Sequence, residues 1–178
     1  QHLPLISATG SCDMGRAVSQ VVSRRLGKCL LELGGNNAVI VTEKADLDLA
    51  LRAVAFAAVG TSGQRCTTLR RLFLHKSVAD EFESRLVRAY ESITIGQPWD
   101  DGTLMGPLIN QSAVDNMQQA LNSVAEQGGQ VVSGGSVIDR PGFFVQPTIV
   151  RARPDMPIVS EETFAPILYV MTYDTLDE

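Results

Sequence analysis

The cysteine at position 66 lies in the segment GQRCTT, residues 63–68, and has the setting of a nucleophile. A polar loop after a long apolar helix is not the context of a core cysteine, and the adjacent Arg65 favours the thiolate, which is the reactive form. Taken alone, a cysteine in such a loop is more often an inert thiol. We interpret Cys12 and Cys29 as structural, because they fall at a turn and in a strand.

A second candidate for chemistry is Glu32, the first residue of the segment ELGG at residues 32–35. The carboxylate follows a strand and is held on a bend, and the two glycines let a ligand or another chain approach the backbone closely. On this segment alone, a surface glutamate before a turn is the more frequent explanation. The pattern therefore becomes informative only together with others.

Two further segments have the residue types of a binding site. The segment TGS at residues 9–11, with Gly15 after it, predicts a strand-to-helix turn whose backbone N–H groups face a phosphate. It is not the usual dinucleotide fingerprint, and an ordinary turn explains it equally well. The segment EETFAP at residues 161–166 places two acids before an aromatic residue and a proline, although a solvated loop has the same composition.

The elements that would position these residues follow from hydrophobic periodicity and from turn residues. We predict strands at residues 3–8, 28–33, 38–41, 69–75, 131–133, 144–150 and 167–172, and helices at residues 14–26, 46–59, 77–93 and 111–127. Strands that alternate with helices predict an α/β fold, with a mostly parallel sheet and flanking helices.

Composition excludes several classes of function. The chain has 178 residues, of which 44% are hydrophobic and 20% charged, so it can bury an ordinary globular core. A net charge of -5 without a lysine or arginine stripe argues against nucleic acid as a partner. Three cysteines without close pairing or a histidine cluster favour a reducing compartment and no metal site. The longest apolar stretch, residues 53–59, is shorter than the roughly 20 residues that cross a membrane.

Taken together, the order and spacing of these segments resemble the aldehyde dehydrogenase superfamily over essentially the whole chain. The matching motifs are T-G-S at residues 9–11, E-L-G-G at 32–35, G-Q-x-C at 63–66 and E-E-x-F-x-P at 161–166. Their joint occurrence is specific, although each motif alone is weak. The resemblance implies oxidation of an aldehyde to a carboxylic acid, through a thiohemiacetal and a thioester on the cysteine. It implies NAD as the cofactor, with NADP left open.

The resemblance also implies roles for individual residues. Cys66 would attack the aldehyde carbon, its backbone N–H would form half of the oxyanion hole, and Glu32 would activate the deacylating water. The other half of that hole is an asparagine that this chain does not contain. Ser11 would lie near the pyrophosphate, Glu162 would hold the nicotinamide ribose, and Phe164 would pack near the nicotinamide. The full implied set of cofactor residues is Thr9, Gly10, Ser11, Gly34, Glu162 and Phe164.

A closer similarity is to the antiquitin-like branch, which oxidises α-aminoadipic semialdehyde in lysine breakdown. It rests on residues 63–68, the arginine pair at 70–71, the segment RPG at 140–142, and Ala165, where most relatives carry glycine. This likeness implies that Arg65 and Thr67 bind substrate, with Arg65 anchoring its polar amino-acid end. Two alternatives stay open. One is another branch, such as a betaine aldehyde or other semialdehyde dehydrogenase, and the other is a non-catalytic folding or oligomerisation unit.

The resemblance finally predicts how the chain relates to a complete enzyme. Residues 1–33 would be the end of an otherwise missing NAD-binding domain, and residues 34–178 a catalytic domain truncated at its C-terminus. Such a fragment would be inactive by itself. The complete enzyme would act on a small aldehyde as a homodimer or homotetramer in the cytoplasm, or in the mitochondrial matrix of a eukaryote, without nucleic acid or membrane partners.

Overall fold

The structure is a computed structural model that describes residues 3–178. The chain divides into two compact units, the first ending at Gly35 and the second beginning at Asn36. The predicted assignment of residues 1–33 and 34–178 to a cofactor domain and a catalytic domain stays a prediction. Within the described range, no helix is both long and apolar enough to span a bilayer.

The first unit is a strand–helix–strand segment: β1 (Leu5–Thr9), α1 (Cys12–Ser23) and β2 (Lys28–Glu32). The two strands pair in parallel, from Leu5 opposite Lys28 to Thr9 opposite Glu32. Helix α1 begins after Ser11, whose side-chain oxygen accepts a hydrogen bond from the Met14 backbone N–H at 3.1 Å. The end of β1, the start of α1 and the end of β2 therefore lie at one edge of this unit.

The second unit contains a five-stranded sheet in the order β3-β4-β7-β6-β5. Its strands are β3 (Asn37–Val41), β4 (Leu69–His75), β5 (Gln130–Ser133), β6 (Thr148–Arg151) and β7 (Ile167–Tyr173). All neighbouring strands pair in parallel except β5 and β6, which are antiparallel. The predicted α/β class with a mostly parallel sheet is confirmed.

Three helices cover the two faces of this sheet: α2 (Leu47–Val59), α3 (Lys76–Glu91) and α4 (Gln111–Glu126). In β7, Leu168 and Val170 pack in one hydrophobic cluster with residues of α2 and α3. The alternate residues Ile167, Tyr169 and Met171 pack in a second cluster with residues of α4. Successive side chains of a strand point to opposite faces of the sheet, so this alternation shows that β7 is buried on both faces.

The predicted elements are correct in type and order, and the largest differences in extent concern β6 and α1. Strand β6 begins at Thr148, whereas the sequence predicts a strand over residues 144–150. Phe144 and Val145 are fully buried, so the apolar run belongs to the core, and Pro147 has no N–H to donate to a neighbouring strand. Helix α1 ends at Ser23 instead of residue 26, because Leu26 is left-handed with φ of 54°.

Candidate active site

The loop that carries Cys66 begins with a tight turn after α2. This turn spans Gly60–Gly63, and its residues Thr61, Ser62 and Gly63 have positive φ angles of 56°, 54° and 71°. A β-branched residue rarely adopts this conformation, so the surrounding structure must hold it. The buried Ser62 contributes by donating a hydrogen bond from its hydroxyl to the Gly106 carbonyl at 2.7 Å.

Gly63 brings the Cys66 loop against the EETFAP segment, here defined as residues 161–166. A Cβ atom added at Gly63 would lie 2.4 Å from the carbonyl carbon and oxygen of Ala165 and 2.5 Å from the nitrogen of Pro166. Both the positive φ and the backbone approach require glycine at this position. Two motifs about a hundred residues apart are therefore in direct backbone contact.

Cys66 lies between this turn and β4, and it is exposed. Its carbonyl oxygen accepts a hydrogen bond at 2.7 Å from the side-chain amide of Asn37, which also donates to the Thr68 carbonyl at 3.0 Å. The turn from Arg65 to Thr68 is closed from both ends. The Thr68 N–H donates to the Arg65 carbonyl, and the Arg65 N–H donates to the Thr68 hydroxyl, both at 3.1 Å. The backbone that presents the thiol is thus fixed.

Arg70 in β4 is a buried cation that joins the Cys66 loop to the EETFAP segment. Its side chain is 1% exposed. Its terminal nitrogens donate to the carbonyls of Gly63 at 3.2 Å and Arg65 at 3.1 Å in the loop, and of Thr163 at 2.5 Å in the segment. From the sequence, Arg70 indicates only the similarity to the antiquitin-like branch. The sequence does contain a signal for its burial, because Leu69 and Leu72 on either side of the arginine pair are apolar and predict a buried strand.

Glu162 and Phe164, the predicted cofactor residues of the EETFAP segment, both contact Arg70. The Glu162 carboxylate forms an ion pair with it at 3.5 Å and is 24% exposed. The Phe164 ring is 45% exposed, and the Arg70 guanidinium carbon lies 5.4 Å from its centre. Glu162 and Phe164 line a polar cavity of about 300 Å³ together with residues of α4, among them Asn116, Gln119 and Ser123. A carboxylate beside an exposed ring in a polar cavity suits a ribose and an attached aromatic base.

Arg65 points to a second, more apolar cavity of about 540 Å³. Its guanidinium carbon lies 5.4 Å from the centre of the Phe56 ring, and its Nε donates to the Thr61 hydroxyl at 2.7 Å. The lack of a side chain at Gly60 makes room for it, because a Cβ there would lie 2.3 Å from the Arg65 Nη2. Further lining residues are Arg52, Ala55, Val59, Ile93 and Leu104. Within the described residues the lining includes Arg65 but neither Cys66 nor Thr67, and Thr67 is exposed.

The remaining predicted site residues belong to the first unit or adjoin it. Thr9, Gly10 and Ser11 are exposed between β1 and α1, and Glu32 is exposed at the end of β2. The Gly10 N–H donates to the Glu32 carbonyl at 3.0 Å, which ties the phosphate-type turn to the predicted base. Gly34 is exposed as well. These residues occupy the carboxyl ends of parallel strands, where α/β proteins bind ligands.

The chain is similar in sequence to known proteins over its whole length. A family model described as "Aldehyde dehydrogenase family" matches residues 1–178. Aldehyde dehydrogenase family 7 member A1 of Pisum sativum is 52% identical over 177 residues, which are 99% of this chain and 35% of the relative. Alpha-aminoadipic semialdehyde dehydrogenase of Rattus norvegicus is 52% identical over 179 residues, which are 100% of this chain and 33% of the relative.

Solved structures are similar over the same extent. Betaine aldehyde dehydrogenase of Staphylococcus aureus, solved in complex with NAD+, superposes with a TM-score of 0.93 at 28% identity. The match covers 99% of this chain and 36% of that one. This chain therefore spans about a third of the length of the proteins that it matches.

Proposed function

This chain belongs to the aldehyde dehydrogenase family, and from that premise we propose that the complete enzyme oxidises an aldehyde to a carboxylic acid with NAD as hydride acceptor. The Staphylococcus aureus relative was solved with NAD+. The residues of this chain fit such a cofactor. Glu162 offers a carboxylate to ribose hydroxyls, Phe164 offers an exposed ring, and residues 9–11 present a helix N-terminus to a phosphate. When bound, the nicotinamide accepts the hydride.

In this proposal Cys66 is the nucleophile. The thiolate adds to the aldehyde carbon to form a thiohemiacetal, while the backbone N–H of Cys66 donates to the developing oxyanion. Loss of hydride from that carbon leaves a thioester on Cys66. The two hydrogen bonds from Asn37 support this role, because they fix the backbone on both sides of Thr67 and hold the thiol in one place.

Glu32 is the proposed general base for the second half of the reaction. It would take a proton from water, and the resulting nucleophile would release the carboxylic acid from the thioester. Glu32 is exposed at the end of β2, and Gly34 close to it is exposed as well. Water from the solvent can therefore reach the carboxylate. The acid leaves and the Cys66 thiolate is restored.

The substrate we propose is α-aminoadipic semialdehyde, and the single observation that carries this choice is the position of Arg65. Its guanidinium lies at a cavity with apolar walls, one residue before the nucleophile, over Phe56 and Gly60. A planar guanidinium pairs well with a carboxylate, and the methylene chain of the substrate suits the apolar walls. Thr67, which does not line this cavity, would contact the substrate outside it. The enzyme would thereby act in lysine breakdown.

Charge and sequence identity both support this proposal over its nearest rival. A betaine aldehyde carries a quaternary ammonium group, which the Arg65 cation would repel, whereas a semialdehyde with a carboxylate is attracted. The sequence identity is also higher to the semialdehyde dehydrogenase of Rattus norvegicus, at 52%, than to the betaine aldehyde dehydrogenase, at 28%. Assembly as a homodimer or homotetramer and a place in the cytoplasm remain predictions.

The test is the specificity of Arg65→Ala in the complete enzyme. We expect kcat/KM for α-aminoadipic semialdehyde to fall about 10- to 150-fold, the loss of a charge-assisted contact worth roughly 1.5–3 kcal/mol. Hexanal should be affected much less, because it has no group for the guanidinium to bind. The ratio of the two kcat/KM values is therefore the measurement.

Arg140→Ala is the matched control for this experiment. Arg140 also stacks on a phenylalanine, with 3.8 Å from its guanidinium carbon to the centre of the Phe144 ring, but it does not line the Arg65 cavity. This variant should leave the substrate ratio unchanged. An equal loss with both aldehydes in Arg65→Ala would refute the substrate assignment, and a wild-type enzyme that reduces no NAD with any aldehyde would support the non-catalytic alternative.

A further inference from the structure

Burial of the charged Arg70 side chain costs free energy, because the guanidinium loses its hydration. Its side chain is 1% exposed, and burial lowers the pKa of its guanidinium from the ordinary value, an effect that Glu162 partly opposes. Its Nε has no hydrogen-bond partner among the described residues. An apolar side chain of similar volume would fill such a position at lower cost if packing were the only requirement. The charge and the hydrogen-bonding shape of arginine therefore need another explanation.

The contacts of Arg70 are divided between the loop that carries the proposed nucleophile and the segment that carries the proposed cofactor residues. On one side it holds the carbonyls of Gly63 and Arg65, which lie in the loop that presents the Cys66 thiol. On the other side it holds the Thr163 carbonyl, pairs with the Glu162 carboxylate and lies beneath the Phe164 ring. Those two side chains are the ones that the proposed function assigns to the cofactor ribose and nicotinamide.

Resting on that proposed function, we propose that Arg70 is a positioning residue that fixes the cofactor-binding side chains Glu162 and Phe164 relative to the nucleophile Cys66. It acts through these residues, and its own guanidinium is covered by them. Hydride transfer needs the reacting carbon on Cys66 and the nicotinamide at one distance and orientation. Because one planar guanidinium bonds to both the Cys66 loop and the EETFAP segment, the two cannot move independently and the distance between the reacting groups is kept.

The shape of the side chain explains why arginine serves here. One terminal nitrogen donates to Thr163 while the other donates to Gly63 and Arg65, so a planar fork spans both segments at once. The ammonium of a lysine is a single point on a flexible stem. It would keep the attraction to Glu162 but could not span both segments. Arg70→Lys therefore tests the charge and the bridging hydrogen bonds separately, since it keeps the first and loses the second.

The experiment measures NAD affinity of the complete resting enzyme by calorimetry, along with steady-state constants. We expect Arg70→Met to raise the Kd and the KM for NAD by about 10- to 100-fold and to lower kcat, since Glu162 loses its charged partner. The KM for the aldehyde should change less than about threefold, because the Arg65 side chain keeps its own contacts with Thr61 and Phe56. Arg70→Lys should restore part of the NAD affinity but little of kcat.

A double-mutant cycle with Glu162→Gln tests the link itself. If Arg70 acts through Glu162, Arg70→Met should add little to the NAD defect of Glu162→Gln. Independent, additive effects would overturn the proposal. Arg151→Met is the control for stability alone, because the Arg151 side chain pairs with Glu83 and so joins β6 to α3, not the Cys66 loop to the EETFAP segment. It should lower the thermal midpoint while leaving the Kd for NAD unchanged.

The outcomes separate this inference from the proposed function. Wild-type enzyme that binds no NAD would refute the proposed function. Wild-type enzyme that binds NAD, with Arg70→Met and Arg70→Lys that bind it equally well, would refute the positioning role alone. Should Arg70→Met fail to fold, Arg70→Lys decides the matter, and an unchanged Kd and kcat in that variant would overturn the proposal.

Discussion

At the scale of single residues, exposure does not distinguish the nucleophile. Cys12, Cys29 and Cys66 are all exposed. Cys12 is the first residue of α1 and lies directly after the turn at which the sequence places it. What distinguishes Cys66 is its position in a turn that hydrogen bonds from Asn37 and to Thr68 hold in place.

We predict that Cys66 is alkylated first when the complete enzyme is treated with limiting iodoacetamide. The turn from Arg65 to Thr68 and the Asn37 amide hold the Cys66 backbone in place, and the residue is exposed to the reagent. Peptide mapping of the labelled protein measures the site, and loss of activity should parallel the labelling of Cys66. The Cys12→Ser variant is the control and should be inactivated at the wild-type rate. Faster labelling of Cys12 or Cys29 would show that the wrong thiol was chosen.

At the scale of elements, the strained turn after α2 decides where the thiol is placed. Three consecutive residues, from Thr61 to Gly63, have positive φ, and the turn is held by Ser62 and by contact with Ala165. Strain of this kind persists only where the surrounding structure compensates for it. The compensation here comes from distant parts of the chain, which explains why a local pattern alone predicts only that α2 breaks at this point.

We predict that Gly63→Ala lowers the free energy of unfolding by about 2–4 kcal/mol. This value is the sum of two costs, that of a left-handed backbone at alanine and that of steric overlap with the Ala165 backbone. Gly102→Ala is a matched control. Gly102 has a similar φ of 80°, but a Cβ added there has nothing within 4 Å. Only the backbone part, about 1–2 kcal/mol, should be lost. Urea unfolding of both variants measures the difference, and equal losses would mean that the contact with Ala165 contributes nothing.

At the scale of the whole molecule, the second unit buries tyrosine hydroxyls on both faces of its sheet. Tyr90 belongs to the core cluster with α2 and α3, and Tyr169 to the cluster with α4. Burial raises the pKa of both side chains, and it raises the pKa of Tyr169 to about 12. An unfolded tyrosine has a pKa near 10, so the folded protein keeps protons that the unfolded chain loses in alkaline solution.

We predict that stability falls steeply as the pH rises from 10 towards 12. The folded pKa of Tyr169 is above the unfolded value, so its contribution is complete below pH 10 and is lost as the pH passes through about 12. The loss approaches about 1.4 kcal/mol per pH unit for each such tyrosine. Urea unfolding between pH 8 and 11 measures the slope. Tyr169→Phe should have a shallower slope in this range, and an identical slope would contradict the assignment.

The sequence by itself determined the fold class and the order of the elements. Alternation and helical spacing act over a few residues, so β7 and α4 could be located from local pattern alone. The Asp46 cap of α2 was also readable, and its carboxylate accepts hydrogen bonds from the backbone of Asp48 and Leu49 at 3.0 Å. Family membership followed from the joint spacing of motifs that were individually weak.

The tertiary structure decided which of these motifs meet and what holds them together. Gly63 contacts Ala165, Asn37 binds the carbonyl of Cys66, and Arg70 joins the Cys66 loop to the EETFAP segment. No local propensity encodes such contacts, because their partners are brought together only when the sheet orders β3, β4 and β7 side by side. The same reason accounts for the error at Phe144 and Val145, which are buried as their apolar character predicts but pair only through an isolated antiparallel bridge between Val145 and Val137.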